Sequence, residues 1–260
     1  MGTPAAVRIA ERELLLYRRI WRENVIGAFV QPFLYLVGVG VGVGSLVDDG
    51  GTSDAILGDV SYFAFYATAL LATTSMFNTG QEALWPTMDG FRWSYAYVGM
   101  MGAPLEPRDL ATSFLIRFGG RSFITATGVA CVLALFPSTR SPGLILAVGA
   151  AILCGLAFAM PIAAWTGSRD VDNTFPAIMR FVIMPMFLFG GAFYPVEQLP
   201  RALEVIAWFT PLWHAIKLCR GAVLGGLAAT TALMHIGVLV AYITAGWVAC
   251  TIVFDRRLRT

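Results

Sequence analysis

Long runs without a single charged side chain set the strongest limit on what this sequence can form. Residues 24–47, 60–81, 122–139, 141–168, 181–196 and 221–254 contain no Asp, Glu, Lys or Arg. A helix needs roughly 20 mostly apolar residues to cross the hydrocarbon of a bilayer. Arg117 and Arg121 border the third run, where long cationic side chains are able to snorkel. The expected fold is an all-α polytopic membrane protein with six transmembrane helices, at about 25–46, 60–82, 110–136, 143–166, 174–193 and 232–254. Composition argues against the alternatives. Charged residues make up 13% and hydrophobic ones 57%, against about 25% charged in a soluble domain. That leaves too little polar surface for a soluble enzyme or a disordered chain. A net charge of +2, scattered along the chain, is no footprint for nucleic acid. Cys131, Cys154, Cys219 and Cys250 form no CxxC pair, so neither a zinc site nor a disulfide framework is expected.

The Lys and Arg count orients the spans. Arg8, Arg12, Arg18, Arg19 and Arg22 precede the first, and Arg256, Arg257 and Arg259 follow the last. The segment after the first span, 47–59, has four Asp (Asp48, Asp49, Asp54 and Asp59) and no Lys or Arg. Both basic termini are therefore expected in the cytoplasm, together with segments 83–109 and 167–173, which carry Arg92, Arg108 and Arg169. The first 24 residues are too charged for the apolar region of a signal peptide, and the run after them is too long, so no cleavable signal is expected.

Residues 5–22 read as an amphipathic helix, because Val7, Ala10, Leu14, Tyr17 and Trp21 recur at spacings of three and four. A basic helix with Trp on its apolar side lies in the membrane interface. It serves as a topology anchor, as a docking surface for a cytoplasmic partner, or as both. The first span carries Gln31-Pro32 and two small-xxx-small pairs, Gly38/Gly42 and Gly40/Gly44. Such pairs pack helices within one chain, or form a subunit interface or the wall of a transport path.

No Asp or Glu is expected mid-span; Glu82 is expected at a helix end. Proton-coupled carriers usually hold carboxylates inside the membrane. The sequence also lacks GxxxxGK[ST], HExxH and GxSxG, so no phosphate cradle, zinc protease or hydrolase site is expected. A membrane enzyme, a secondary transporter or a structural membrane protein remain the alternatives. If the chain moves something uphill, the energy comes from another polypeptide.

Two segments outside the spans stand out. Segment 82–109 mixes Trp85, Phe91, Trp93, Tyr95 and Tyr97 with Asp89 and Arg92. Its first part is expected to form a short helix across the cytoplasmic face, with Asp89 near the start, where a carboxylate suits the helix dipole. Exposed aromatics beside charges suit partner binding; headgroup-level aromatics are the plainer reading. In segment 190–223, Pro195, Pro200 and Pro211 cut an apolar stretch into pieces too short to span. Leu199–Trp208 and Leu212–Val223 fit two short helices that enter the outer leaflet and return. His214, Lys217 and Arg220 follow at spacings of three, a positive stripe able to meet phosphate headgroups or an anionic substrate, or simply to snorkel.

The stretch FLFGGAFYPVEQLPRALEVIAWFTPLWHAIKLCRG resembles the late signature of ABC-2-type exporter permeases, in which a Gly-x-x-aromatic-Pro element ending in Leu-Pro precedes Pro-Leu-x-His and an Arg. Gln31-Pro32 with Tyr35 and the following glycines is similar to that family's first span. Met88-Asp89-Gly90-Phe91-Arg92 is similar to its first cytoplasmic loop, and Arg256–Arg259 to its basic tail. The likeness is greatest to the lipo-oligosaccharide (nodulation-factor) exporter permeases, then to the daunorubicin-type drug exporter permeases. The one departure is an aromatic coupling segment with Pro86, where the family usually carries more charge.

The resemblance implies a single transmembrane domain over 1–260, in the cytoplasmic membrane of a bacterium. It implies a dimer of permeases, more readily homodimer than heterodimer, with two copies of a separate ATPase subunit that bind ATP and Mg2+, this chain holding no cofactor or metal. It makes 1–24 the interface helix, with Arg8, Arg12, Arg18, Arg19 and Trp21. Segment 83–109 becomes the coupling loop, its helix about Met88–Tyr97, with Glu82, Asp89, Gly90 and Arg92 as coupling residues. Segment 193–223 becomes the outer re-entrant hairpin, with Tyr194, Pro195, Pro200, Pro211, His214, Lys217 and Arg220 at the gate. The implied substrates are amphiphiles: lipo-oligosaccharides, glycolipids or drugs.

Overall fold

A computed structural model of the protein describes Val7, Ile9, Glu11, Val30 and residues 32–44, 60–100, 102 and 105–259, and among these it is helical, with no strand. In chain order, α1 covers Pro32–Gly44, with a π-helical stretch at Leu36–Val41. Helix α2 covers Tyr62–Met88 and runs on through a π turn at Asp89–Trp93; α3 covers Ala96–Met100, α4 Pro107–Leu133 and α5 Leu144–Gly167. Helix α6 covers Phe175–Phe189. A 3-10 turn at Val196–Gln198 leads to α7, Arg201–Trp208, then α8, Pro211–Leu224, and α9, Ala229–Arg259.

The local starts follow from chemistry. Ser61 caps α2, its hydroxyl accepting from the Ala64 amide. Glu106 and Asp109 form a reciprocal capping box at the start of α4, where Pro107 occupies the first turn. Thr210 caps α8 by accepting from the Trp213 amide, with Pro211 at the first position.

Helix α5 is the hub, packed along α2, α4, α8 and α9. Its buried face is rich in small residues, among them Ala147, Ala151, Cys154, Gly155, Ala159 and Ala163. Four of its carbonyls accept hydrogen bonds, each from a different helix. Cys219 of α8 donates to Ala147 O at 3.5 Å, Ser122 of α4 to Ala151 O at 3.1 Å, Thr79 of α2 to Gly155 O at 3.0 Å and Cys250 of α9 to Met160 O at 3.3 Å. A carbonyl inside its own helix keeps a second lone pair for such a donor. The approach needs small residues. A Cβ on Gly155 would lie 2.5 Å from Ser122 Oγ and 3.0 Å from Thr79 Cγ2.

Among the described residues two helices are long and apolar enough to cross a membrane, Leu144–Gly167 and Ala229–Leu258. Helices α2 and α4 are as long as α5 but less apolar, for a physical reason. Much of α2 is buried within the protein, and Thr68, Thr73 and Thr79 return their hydroxyls to carbonyls one turn back. Helix α4 carries Arg108, Asp109, Arg117 and Arg121.

Two sequence expectations need correction. Helix α2 does not end near 82, because it passes through Pro86. That ring cannot donate to Glu82 O, and the Thr87 hydroxyl does so instead at 3.4 Å. Glu82 therefore sits inside a helix, not at its end, and Asp89 continues α2 instead of starting a new helix. Arg117 does not snorkel; its side chain is 8% exposed and points inward. The glycine pairs of α1 divide. Gly40 and Gly44 face Phe63 and Tyr62 of α2, whereas nothing lies within 4 Å of a Cβ on Gly38.

Residues 7, 9 and 11 are helical. Ile9, which is not on the apolar stripe read from the sequence, is buried in a cluster with Phe91, Phe114, Phe118 and Phe254. Arg8, Arg12, Arg18, Arg19 and Trp21 lie outside the described residues, as does segment 45–59.

Gly155→Ala is expected to lower the thermal midpoint of the detergent-purified protein, with an overpacking cost of about 1–3 kcal/mol. Gly149→Ala on the same helix, where a Cβ meets nothing within 4 Å, is expected to leave it unchanged or slightly raised. Equal midpoints for Gly155→Ala and the parent would contradict the close approach.

Candidate functional sites at the two ends of the bundle

The far end of α2 carries Asp89, Gly90 and Arg92. Asp89 is exposed. Gly90 is buried beneath the Tyr97 ring, and a Cβ there would lie 2.0 Å from Tyr97 Cε2. The chain turns at Tyr95, whose φ of 52° is in the left-handed region, and α3 folds back. Tyr97 is thereby tucked among Phe91 and Phe114, while Trp93, Tyr95 and Val98 stay exposed. Arg92 forms an ion pair with Asp170, which also holds Arg257 of α9 at 3.4 Å. Arg257 donates to the Gly167 and Arg169 carbonyls as well. Asp170 thus joins the ends of α2, α5 and α9. Between them lies a cavity of about 450 Å³ lined by Phe91, Arg92, Tyr95, Val98, Asp170 and Arg256, among others. Glu82 lies deeper, paired with Arg117 at 3.7 Å, so it is not gathered with the other three coupling candidates.

At the opposite end, the hairpin is unequal. Helix α8 packs into the bundle against α2, α5 and α9. Helix α7 and the tip stay outside, with Ile206 and Phe209 exposed. Pro200 immediately precedes α7, and Pro211 opens α8. Tyr194 and Pro195 are half-buried in the turn before the 3-10 segment.

The positive stripe read from the sequence does not form. His214 is buried, and its Nδ1 lies 2.7 Å from Nδ1 of His235 on α9, with its Nε2 2.9 Å from Trp208 O. Because the Trp208 carbonyl only accepts, Nε2 of His214 donates to it, and a neutral His214 then accepts from His235. Lys217 is paired with Glu197 at 3.0 Å. Burial favours the neutral form of Glu197, but a backbone hydrogen bond, Lys217 and Arg220 outweigh it and hold the carboxyl below the usual range. Arg220 donates to Phe65 O at 3.2 Å and Gly191 O at 3.1 Å, with its guanidinium 3.5 Å from the Phe65 ring centroid. A spacing of three put these residues on one side of a helix, but each was claimed by a different neighbour. A cavity of about 270 Å³ lies here, lined by Phe65, Gly191, Glu197, Trp213, Lys217 and Arg220, among others.

The residues that sequence reasoning missed are partners. Asp170 and His235 carried no motif, and Arg117 and Arg257 were read only as a flanking charge and part of a basic tail; each is paired across long separations, which no local spacing records. Among the described residues no group of three or more His, Cys, Asp or Glu is placed to hold a metal ion.

Residues 5–224 match the family described as ABC-2 type transporter. The chain belongs to the ABC-2 type transporter family. Among curated proteins it is similar to "Nodulation protein J" of Rhizobium leguminosarum bv. viciae, 32% identical over 95% of this chain and 92% of that one. It is also similar to the proteins of the same name from Rhizobium meliloti (strain 1021), at 28% over 97% and 93%, and from Bradyrhizobium diazoefficiens, at 25% over 95% and 91%. No solved structure matches. The family resemblance read from the sequence is thus correct, and this member of the ABC-2 family is an integral membrane protein whose kind works with a partnering ABC ATPase subunit.

Arg220→Met removes a charged donor from two carbonyls, at about 1.5–3 kcal/mol for each such bond. It is expected to lower the thermal midpoint clearly. Lys217→Gln breaks a half-exposed pair of about 0–1 kcal/mol and is expected to shift it little. A midpoint for Arg220→Met equal to that of the parent would contradict the tie that Arg220 makes from α8 to the Phe65 and Gly191 carbonyls.

Proposed function

We propose that this ABC-2 family member is the membrane subunit of an exporter that carries an amphiphile out of the cell, driven by ATP hydrolysis on a separate subunit. The observation that carries the reading is the far end of α2. Exposed Asp89, Trp93, Tyr95 and Val98 stand on a segment braced through Asp170 to α5 and α9. Exposed aromatics on a rigid support suit a binding hot spot, and a partner that pushes there pushes on three helices at once. The ATPase subunit docks on this face, and the basic helix over 1–24 adds Arg8, Arg12, Arg18, Arg19 and Trp21 to the same contact. ATP and Mg2+ bind on that subunit.

In this reading the chain crosses the cytoplasmic membrane of a bacterium six times, with both termini inside. The α2 end with Asp89 is cytoplasmic, and the hairpin over 193–223 is the outer gate, closed by Arg220 and the histidine pair. Two ATPase copies pair with two permease copies. A second copy of this chain packs on α1, where Phe33, Leu34 and Val41 are exposed and Gly38 leaves room for close approach. The similarity to proteins named for nodulation favours a lipo-oligosaccharide, with glycolipids and drugs as the wider class.

Asp89→Arg and Arg92→Glu, each in the chain purified with its ATPase, are expected to reduce the ATPase retained on the permease and the hydrolysis it supports. Each change should act at hot-spot strength, more than about 1 kcal/mol, or at least about fivefold in retention. Unchanged retention and hydrolysis in both would contradict the docking face.

A further inference from the structure

We infer that Arg117 is a positioning residue that passes movement of the segment 89–100 into the helix bundle; this rests on the exporter reading. Arg117 lies three turns into α4, with a side chain only 8% exposed. A guanidinium in such a place needs several partners at once. Its contacts come from separate parts of the fold. The carboxylate of Glu82 is 3.7 Å from its Nε. One terminal nitrogen donates to Thr87 Oγ1 at 3.1 Å, the other to Tyr97 Oη at 2.8 Å. The Phe114 and Phe118 rings lie 4.5 and 4.7 Å from its Cζ.

The planar fork thereby holds α2, α3 and α4 in one arrangement. Tyr97 gives it direction. Helix α3 is five residues long and two-sided. Val98 and the adjoining Tyr95 are exposed on the proposed docking face, while Tyr97 is 2% exposed and points to Arg117. A partner that displaces α3 must therefore either drag the Tyr97 hydroxyl, and with it the guanidinium, or break that hydrogen bond. If the guanidinium moves, Glu82 and Thr87 take α2 with it relative to α4. Helix α2 continues to Phe65, whose carbonyl holds Arg220 and so the hairpin. The physical content is that both ends of the molecule bias one rigid helix.

The test uses the chain purified with its ATPase in lipid nanodiscs. Cys131, the one exposed cysteine among the described residues, is replaced by Ser. Phe209→Cys at the exposed hairpin tip then reports the gate through its rate of labelling by a polar maleimide, with and without Mg-ATP. Tyr97→Phe keeps the ring and removes only the hydroxyl. It is expected to abolish the Mg-ATP-dependent change in labelling while ATPase retention and hydrolysis stay at parental values, with only the fall in thermal midpoint that any lost bond to a buried guanidinium brings. A purely structural role would leave the labelling change intact. Arg117→Lys keeps the charge opposite Glu82 but not the fork. It is expected to lose the same response, with no further loss when combined with Tyr97→Phe, because both act through one contact. An intact labelling change in Tyr97→Phe overturns the inference alone, as does loss of ATPase retention in that variant, which would make Tyr97 a docking residue. A parent that shows no Mg-ATP-dependent change overturns the exporter reading and the inference with it.

Discussion

The bundle depends on close approach to the backbone of α5. Small residues along its buried face let α2, α4, α8 and α9 reach its carbonyls, and each delivers a donor there. Within a membrane this solves two problems together. The donors Ser122, Thr79, Cys219 and Cys250 find partners where lipid supplies none. The helices are also drawn together without a hydrophobic driving force, which lipid-facing apolar surface cannot provide. A larger side chain at Gly155 would separate α2 and α4 from α5 and break two of these bonds at once.

Around that frame, charge marks the two ends. Asp170 gathers Arg92 and Arg257 at one end, and Arg220 binds the hairpin to α2 at the other. Arg117 with Glu82 lies between. Asp170 is exposed, so its ion pairs add little stability by themselves, whereas Arg117 and Arg220 are held mostly inside the protein. Each ties together segments distant in sequence, so each constrains how the helices move.

Helix positions were largely legible, because charge and proline punctuate the chain. Helix α5 was expected at 143–166 and forms at Leu144–Gly167; the second hairpin helix was expected at Leu212–Val223 and forms at Pro211–Leu224. The family was legible from the Gly-x-x-aromatic-Pro element. Helix α2 was cut short because Pro86 reads as a stop, and its continuation relies on Thr87 supplying the missing donor to Glu82 O. The fate of the stripe was not legible either. Helical spacing shows that His214, Lys217 and Arg220 share a side. It does not show that His235, Glu197 and the Phe65 carbonyl divide them. The expected snorkelling of Arg117 failed for the same reason, since Glu82 lies 35 residues earlier in the chain and faces it only once α2 and α4 pack.

In the proposed exporter this chain supplies the path and another polypeptide supplies the energy. The most direct measurement is ATP hydrolysis by the purified chain alone, by its ATPase alone, and by the two reconstituted together in lipid. The expected result is no hydrolysis by the chain alone and a rate for the pair that responds to an amphiphile added to the bilayer. Hydrolysis by the chain free of any partner would contradict it, and so would an ATPase whose rate is indifferent to the presence of this chain.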